Sequence, residues 1–132
     1  MANTAFTILL VEDDQVVAEM YRLALVASGR SVIVGRDGEQ GLALAADEDP
    51  DFIVLDLRLP KLDGLEVLSH LRNNAKTRDI PVIILSNVGD PRMLERVSRS
   101  GVVEFMIKAH TTPAQLSLRI GEHERRARQP VD

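Results

Sequence analysis

Short runs of consecutive apolar residues recur along the chain and are separated by longer stretches of mixed polarity. Each run is about four to six residues long and rich in valine and isoleucine, which is typical of strands whose two faces are both covered by helices. The runs lie at residues 6–11, 31–34, 52–55, 81–85 and 102–107. This pattern predicts five buried strands.

Segments with helical periodicity fill the stretches between these runs. From Asp14, which suits an N-cap, to Ser28, apolar residues recur at helical spacing, and Gly29 suits the left-handed position after a helix. The second segment opens with Asp37 as an N-cap, and the third has leucines at 65, 68 and 71. The fourth begins at Pro91 and ends at Gly101, and the fifth has Thr112 as a cap with Pro113 in its first turn. Because each parallel connection needs a crossover helix, the alternation predicts one α/β domain with helices on both faces of a parallel sheet.

Composition narrows the classes of function. The chain has 132 residues, enough for one domain, and its 45% apolar and 27% charged residues are ordinary for a globular protein. It has no cysteine, which excludes disulfide scaffolds and thiolate chemistry, and only three Phe and one Tyr, too few for a base-stacking platform. No apolar run approaches the roughly 20 residues of a membrane span, and no signal peptide opens the chain. We therefore expect a cytoplasmic protein without membrane insertion.

Charge is unevenly distributed. Residues 1–66 contain 13 acidic and 5 basic residues, a net charge of −8, whereas residues 67–132 contain 7 acidic and 11 basic residues, a net charge of +4. Arginines at 119, 125, 126 and 128 are interleaved with Glu122 and Glu124, which indicates a solvated helix face. We therefore expect no direct binding of nucleic acid.

Polar residues follow four of the five predicted strands. Glu12 and Asp13 follow the first, Asp56 follows the third, Ser86 the fourth, and Lys108 ends the fifth. Ligands of open parallel sheets bind beyond the carboxyl ends of the strands, so these side chains should meet at one edge. Taken singly, Asp13 also suits a helix cap, Ser86 a turn and Lys108 a solvated loop. Their joint arrival at one edge favours a functional site.

The donor atoms of this edge indicate its chemistry. Carboxylates without histidine or thiolate suit a hard cation, and a sparse set of them suits Mg²⁺, which keeps several of its waters. A metal there would neutralise the acids and leave Asp56 able to attack phosphorus and form an aspartyl phosphate. Lys108 and Ser86 would then contact the phosphoryl oxygens.

Four blocks of residues occur in order along the predicted strands. They are Ile-Leu-Leu-Val-Glu-Asp-Asp at 8–14, Asp-Leu-Arg-Leu-Pro at 56–60 with Asp-Gly at 63–64, Ile-Ile-Leu-Ser at 83–86 and Phe-Met-Ile-Lys at 105–108. With these blocks the chain resembles a response-regulator receiver domain of two-component signalling, in the CheY-like superfamily, over about residues 5–122. An acidic pair alone is a weak motif, whereas all four blocks in order are specific.

The resemblance implies a doubly wound five-stranded parallel sheet with the flavodoxin-like strand order 2-1-3-4-5. It implies a receiver domain over residues 1–122 and a charged, frayed tail over residues 123–132. It also implies Mg²⁺ as the cofactor, with Asp13 as a direct ligand, Glu12 as a ligand through water, and Asp56 and the backbone carbonyl of Arg58 as further members of the metal site.

The resemblance also implies roles in signalling. Asp56 would accept a phosphoryl group from a sensor histidine kinase or a histidine phosphotransfer protein, and Lys108 would pair with that group. Ser86 fills the position of the switch hydroxyl. Phe105 fills that of the switch aromatic, which reports phosphorylation to a downstream partner on the surface of helix 4, strand 5 and helix 5. The chain would be a self-phosphorylating acceptor with autodephosphorylation, and not an enzyme that turns over a separate substrate.

Three residues depart from the family pattern. Asn87 follows Ser86 where a small residue such as alanine is usual, and Ala109 follows Lys108 where proline, often after a cis bond, is usual. A cis bond before alanine costs about 2.5–4 kcal/mol, so this loop either bears that cost or takes another path. Phe105 lacks the hydroxyl of the common tyrosine.

Two further positions bear on the lifetime of the phosphoryl group. Arg58 and Val88 stand where family members vary in their rate of dephosphorylation. We predict that the Arg58 side chain pairs with a pocket carboxylate in the unphosphorylated state.

Other functions fit parts of the pattern. A flavodoxin-like electron carrier needs a loop rich in hydroxyls and glycine after the first strand, where this chain has Glu-Asp-Asp. A Mg²⁺ phosphohydrolase with an aspartate nucleophile needs a second aspartate two residues later, where Arg58 stands. A receiver used as a docking module without phosphorylation stays open, as does whether the chain stands alone or belongs to a longer regulator.

Overall fold

The computed structural model describes residues 6–87 and 91–128. Five strands alternate with five helices, and a short 3₁₀ turn follows the last strand. The strands are β1 Thr7–Val11, β2 Ser31–Gly35, β3 Phe52–Leu55, β4 Val82–Ser86 and β5 Val102–Ile107, and the helices are α1 Gln15–Ala27, α2 Gly38–Glu48, α3 Gly64–Arg72, α4 Pro91–Ser98 and α5 Pro113–Arg128. All pairs are parallel, in the order β2-β1-β3-β4-β5. The predicted α/β fold and strand order are confirmed.

Each central strand is buried on both faces. On β1, Leu9 and Val11 pack into a core with residues of α2, α3 and α4, whereas Ile8 and Leu10 pack into a second core with residues of α1 and α5. Successive side chains of a strand point to opposite faces, so an unbroken apolar run supplies both cores. The runs in the sequence are continuous for this reason.

The helices begin at capping side chains. A carboxylate or hydroxyl oxygen accepts backbone N–H groups of the first turn at α1, α2, α3 and α5, from Asp14, Asp37, Asp63 and Thr112 respectively. Asp63 is an addition to the predicted caps. These contacts satisfy donors that a helix leaves free at its start, and they fix the turns at the carboxyl edge of the sheet.

Gly64 allows α3 to begin close to the end of β3. A Cβ atom at this position would lie 2.4 Å from the Cα atom of Leu57 and 2.5 Å from the carbonyl oxygen of Asp56. Its N–H donates to the Leu57 carbonyl at 2.9 Å. The Asp-Gly pair of the sequence thus presses the start of α3 against the loop that follows Asp56.

The last helix continues beyond residue 122, where the sequence suggested that a tail begins. α5 runs to Arg128, and the ring of His123 lies 3.1 Å from a carboxylate oxygen of Glu104 and 5.8 Å from the ring centre of Phe52. Residues 129–132 lie outside the described part of the chain. Within that part, no helix is long and apolar enough to cross a membrane.

Candidate phosphoacceptor site

The structure brings the five predicted side chains to one edge of the sheet. Glu12 and Asp13 follow β1, Asp56 follows β3, Ser86 ends β4 and Lys108 opens the 3₁₀ turn after β5. Glu12, Asp56 and Ser86 are 3%, 5% and 0% exposed, whereas Asp13 is exposed. Burying a charged carboxylate is costly unless the carboxylate is paired and hydrogen-bonded. Asp56 and Glu12 therefore need partners that offset this cost.

Both oxygens of Asp56 accept hydrogen bonds. Oδ2 accepts from the Lys108 ammonium at 2.5 Å, and Oδ1 accepts from the Ser86 hydroxyl at 2.7 Å and from the backbone N–H of Arg58 at 3.1 Å. These donors come from three separate segments of the chain. Together they fix the orientation of the carboxylate and neutralise its charge.

Lys108 also binds Glu12. Its ammonium donates to Oε1 of Glu12 at 2.6 Å, and Oε2 accepts from the backbone N–H of Asp14 at 3.0 Å. Burial raises the pKa of Glu12 above its ordinary value, although the hydrogen bond from Lys108 opposes that rise. Burial lowers the pKa of Lys108, but its bonds to Asp56 and Glu12 outweigh burial and leave the pKa raised. The ammonium therefore stays charged between the two carboxylates.

Three carboxylates can converge on one cation. One oxygen each from Glu12, Asp13 and Asp56 lies within 4.8 Å of the others. Two of these groups are buried and the third is exposed, so the cluster opens to solvent on one side. An all-oxygen donor set with an open side fits a hard divalent ion that keeps some of its waters.

Of the residues that the sequence assigned to control of the site, Arg58 does not make the predicted contact. The guanidinium of Arg58 is exposed and forms no ion pair with a carboxylate of residues 6–87 or 91–128, so the predicted pairing is absent there. Its backbone N–H contacts Asp56 instead. Phe105 is half-buried and packs against the core shared with α2, α3 and α4. Val88 lies outside the described residues.

The peptide bond between Lys108 and Ala109 is trans, and the segment Lys108–His110 forms a 3₁₀ turn. The described residues contain no cis peptide bond. The N–H of Ala109 donates to the side-chain oxygen Oδ1 of Asn87 at 2.7 Å. The sequence analysis did not predict this contact. The available clue was that Asn87 and Ala109, two departures from the family pattern, follow the ends of neighbouring strands.

Comparison with known proteins gives a family match over most of the chain. Residues 8–120 match the response regulator receiver domain. The polar-differentiation response regulator DivK of Brucella ovis is 32% identical over 107 residues, which are 81% of this chain and 87% of DivK. The DNA-binding dual master transcriptional regulator RpaA of Synechocystis sp. is 37% identical over 101 residues, which are 76% of this chain and 42% of RpaA. The chain thus spans less than half the length of RpaA.

A solved structure agrees with the fold. The Mn²⁺-bound form of the response regulator Rcp1 superposes with a TM-score of 0.77 and 26% identity, covering 95% of this chain and 96% of the other. The similarity in sequence and in structure extends across the whole sheet and the helices around it. The chain belongs to the response regulator receiver domain family.

Proposed function

We propose that the protein is a phosphoacceptor in two-component signalling and that Asp56 takes a phosphoryl group from a phosphohistidine of a histidine kinase or a histidine phosphotransfer protein. The observation that carries the proposal is the buried Asp56 carboxylate, whose oxygens are bound by Lys108, Ser86 and the Arg58 N–H. The same carboxylate lies beside Glu12 and Asp13 at the ends of the parallel strands, where an exposed member opens the cluster to solvent.

The transfer forms one bond and breaks one bond. An oxygen of Asp56 attacks phosphorus, the new O–P bond forms, and the N–P bond of the phosphohistidine breaks with its electron pair leaving on the imidazole. Lys108 and Ser86 already donate to Asp56 and are close enough to donate to the phosphoryl oxygens as their charge redistributes. The chain therefore contributes positioning and charge neutralisation.

Glu12, Asp13, Asp56 and the Arg58 carbonyl are the groups that would hold Mg²⁺. The convergence of the three carboxylates supports this assignment, and so does the relative Rcp1, which was solved with Mn²⁺. A bound divalent ion supplies further neutralisation of the acids and of the phosphoryl group. Asp13 is the exposed member of the cluster and makes the least contribution to the folded core.

We place the phosphodonor on an apolar stripe of α1, formed by Val16, Met20, Leu23 and Ala27. These residues recur at helical spacing on the side of α1 away from the core, and the first three are 78%, 45% and 54% exposed. The stripe begins three residues after Asp13. A donor that brings phosphohistidine to Asp56 must cover this edge of the sheet, so the stripe continues the surface that it contacts.

The output surface is the face of α4, β5 and α5, with Ser86 and Phe105 as the switch residues. Ser86 contacts Asp56 directly, and Phe105 lies on the neighbouring strand, where its Cα atom pairs in register with that of Ile84. A change of hydrogen bonding at Ser86 on phosphorylation therefore has a short path to β5. This path supports a downstream partner on that face.

The proposal is tested by incubating the protein with Mg²⁺ and acetyl phosphate and measuring its intact mass. We expect the gain of one phosphoryl group in the wild type and in Asp79→Asn, which removes an exposed acid in the loop before β4. We expect no gain in Asp56→Asn. Phosphorylation of Asp56→Asn to the wild-type extent would contradict the assignment of Asp56, and a wild type that gains nothing would favour the docking module.

A further inference from the structure

Asn87 joins two strand ends that meet at the phosphoacceptor site. It follows Ser86 at the end of β4, and its Oδ1 accepts the N–H of Ala109 at 2.7 Å, across 22 positions of sequence. Ala109 is bonded directly to Lys108, whose ammonium lies between Glu12 and Asp56. The contact therefore holds the backbone one residue away from the cation of the site.

The 3₁₀ turn that carries Lys108 needs outside partners. Its closing bond runs from the N–H of Thr111 to the carbonyl of Lys108 at 3.2 Å, which leaves the N–H groups at the start of the turn without partners inside it. Asn87, directly after β4, supplies one such partner. On the other side, the buried Tyr21 hydroxyl of α1 donates to the carbonyl of Thr111 at 2.9 Å.

Ser86, the last residue of β4, and Asn87, which follows it, contact different partners. The Ser86 side chain is fully buried and donates to Asp56, whereas the Asn87 side chain is exposed and reaches Ala109. Two adjacent residues at the end of β4 therefore contact both the acceptor carboxylate and the segment that carries its counter-charge. Alanine at 87 would lack the acceptor and proline at 109 would lack the donor, so the contact requires both departures from the family pattern.

We propose that Asn87 is a positioning residue for phosphoryl transfer, acting through the Ala109 N–H to hold Lys108 between Glu12 and Asp56. This inference rests on the proposed phosphoacceptor function. Asn87 itself would contact neither the phosphoryl group nor a metal. Its effect is on the placement of the ammonium, which also contacts the proposed Mg²⁺ ligands Glu12 and Asp56, so the rate of transfer is compared at saturating Mg²⁺.

The first test is the rate of Asp56 phosphorylation by acetyl phosphate in Asn87→Ala. We expect a rate lower by roughly three- to tenfold at saturating Mg²⁺, the range that the loss of one hydrogen bond gives. The matched control is Asn74→Ala, because Asn74 is also an exposed asparagine that accepts a backbone N–H, from Lys76 at 2.9 Å, in the loop after α3. A faster Asn87→Ala would mean that Asn87 only restricts access to the site and would overturn the proposal.

A double-mutant cycle tests whether Asn87 acts through Ala109. Proline at 109 removes the N–H donor, so Asn87→Ala should slow the wild type but not the Ala109→Pro protein. The comparison is made within each background, which cancels the cost of the proline itself. Equal slowing in both backgrounds would show that Asn87 acts by another route.

A second measurement does not depend on phosphorylation. In protein labelled with ¹⁵N, we expect the Lys108 ammonium resonance to shift and the Ala109 amide to exchange faster in Asn87→Ala, with neither change in Asn74→Ala. An unmoved Lys108 resonance would overturn the inference even if Asp56 is phosphorylated. A shift in a protein that gains no phosphoryl group would retain the positioning role and reject the phosphoacceptor function.

Discussion

The single carboxylate of Glu104 links helix α5 to the outer strand β5. Its carboxylate on β5 accepts hydrogen bonds from Arg119 at 2.9 Å and lies 3.1 Å from the ring nitrogen of His123, both on α5. Burial acts to raise the pKa of Glu104, but the bonds from Arg119 and His123 outweigh burial and leave the pKa lowered. The charged form therefore stabilises the packing of α5 against β5.

We predict that Glu104→Gln lowers the free energy of unfolding at pH 7 by about 1 kcal/mol, the upper range for a partly exposed pair. Because the pKa of Glu104 is lowered in the folded state, its contribution is present above the ordinary value of 4.5 and is lost as the pH falls through the lowered value. Urea unfolding of both proteins from pH 7 down to pH 3 measures this. The difference between them should shrink below about pH 4.5.

The matched control is Glu122→Gln. Glu122 is also a partner of Arg119, at 3.2 Å, but its side chain is 41% exposed and lies on the same helix. Its replacement should cost less than about 0.5 kcal/mol. A difference between wild type and Glu104→Gln that stays constant with pH would show that the glutamate acts by packing and not by charge.

Helix α1 is the element with apolar residues on two sides. Ala18, Tyr21 and Leu25 are buried against the sheet, while the stripe that starts at Val16 faces outward. One apolar face explains how a helix packs, and a second face has no role in the packing of the described domain. Its position beside the acidic edge is the reason to assign it to the phosphodonor.

We predict that Leu23→Glu slows phosphotransfer from a phosphohistidine donor protein by about tenfold or more and leaves phosphorylation by acetyl phosphate unchanged, because a buried charge is costly only where a protein surface covers it. The matched control is Val103→Glu, at a residue that is 43% exposed near the start of β5, away from the acidic edge. Stopped-flow or radiolabel transfer assays measure both rates. Equal rates for Leu23→Glu and wild type with the protein donor would contradict the docking role of α1.

At the level of elements, the sequence predicted most of what the structure shows. The central strands β1, β3 and β4 are buried on both faces, as their apolar runs predicted, whereas the outer strands β2 and β5 are mostly half-buried. Asp14, Asp37 and Thr112 marked helix starts through their capping chemistry. The end of α5 was harder, because its last residues are charged and carry no apolar periodicity. Beyond residue 122, His123 of α5 contacts Glu104 of β5, a residue 19 positions away in the sequence.

At the level of the whole molecule, the fold brings opposite charges together from distant parts of the chain. Glu12 and Asp56 come from the acidic first half, and Lys108 comes from the basic second half, 96 and 52 positions away. Acidic residues of the first half are therefore paired with a basic residue of the second half at the carboxyl ends of the strands. The ammonium holds two buried carboxylates that would otherwise repel each other.

We predict that Mg²⁺ raises the thermal midpoint of unfolding, because an ion that binds only the folded state stabilises it by mass action. At ten times its dissociation constant the gain is about 1.4 kcal/mol, a shift of a few degrees for a domain of this size. Asp13→Asn should abolish most of the shift, with little effect on the metal-free protein because Asp13 is exposed. Asp79→Asn is the control and should keep the full shift; the same shift in Asp13→Asn would contradict the proposed ligand set.

The sequence by itself determined the sheet, its helices and which residues stand at the strand ends, because periodicity, capping and the order of apolar runs are local properties. It also identified Glu12, Asp56, Ser86 and Lys108 as neighbours, since the ends of parallel strands meet at one edge. Only the tertiary structure decided that one ammonium bridges two carboxylates, that the Arg58 backbone and not its side chain contacts Asp56, and that Asn87 binds Ala109. Such contacts depend on distances of a few ångströms between segments far apart in the chain, and strand order alone does not fix side-chain directions at that scale.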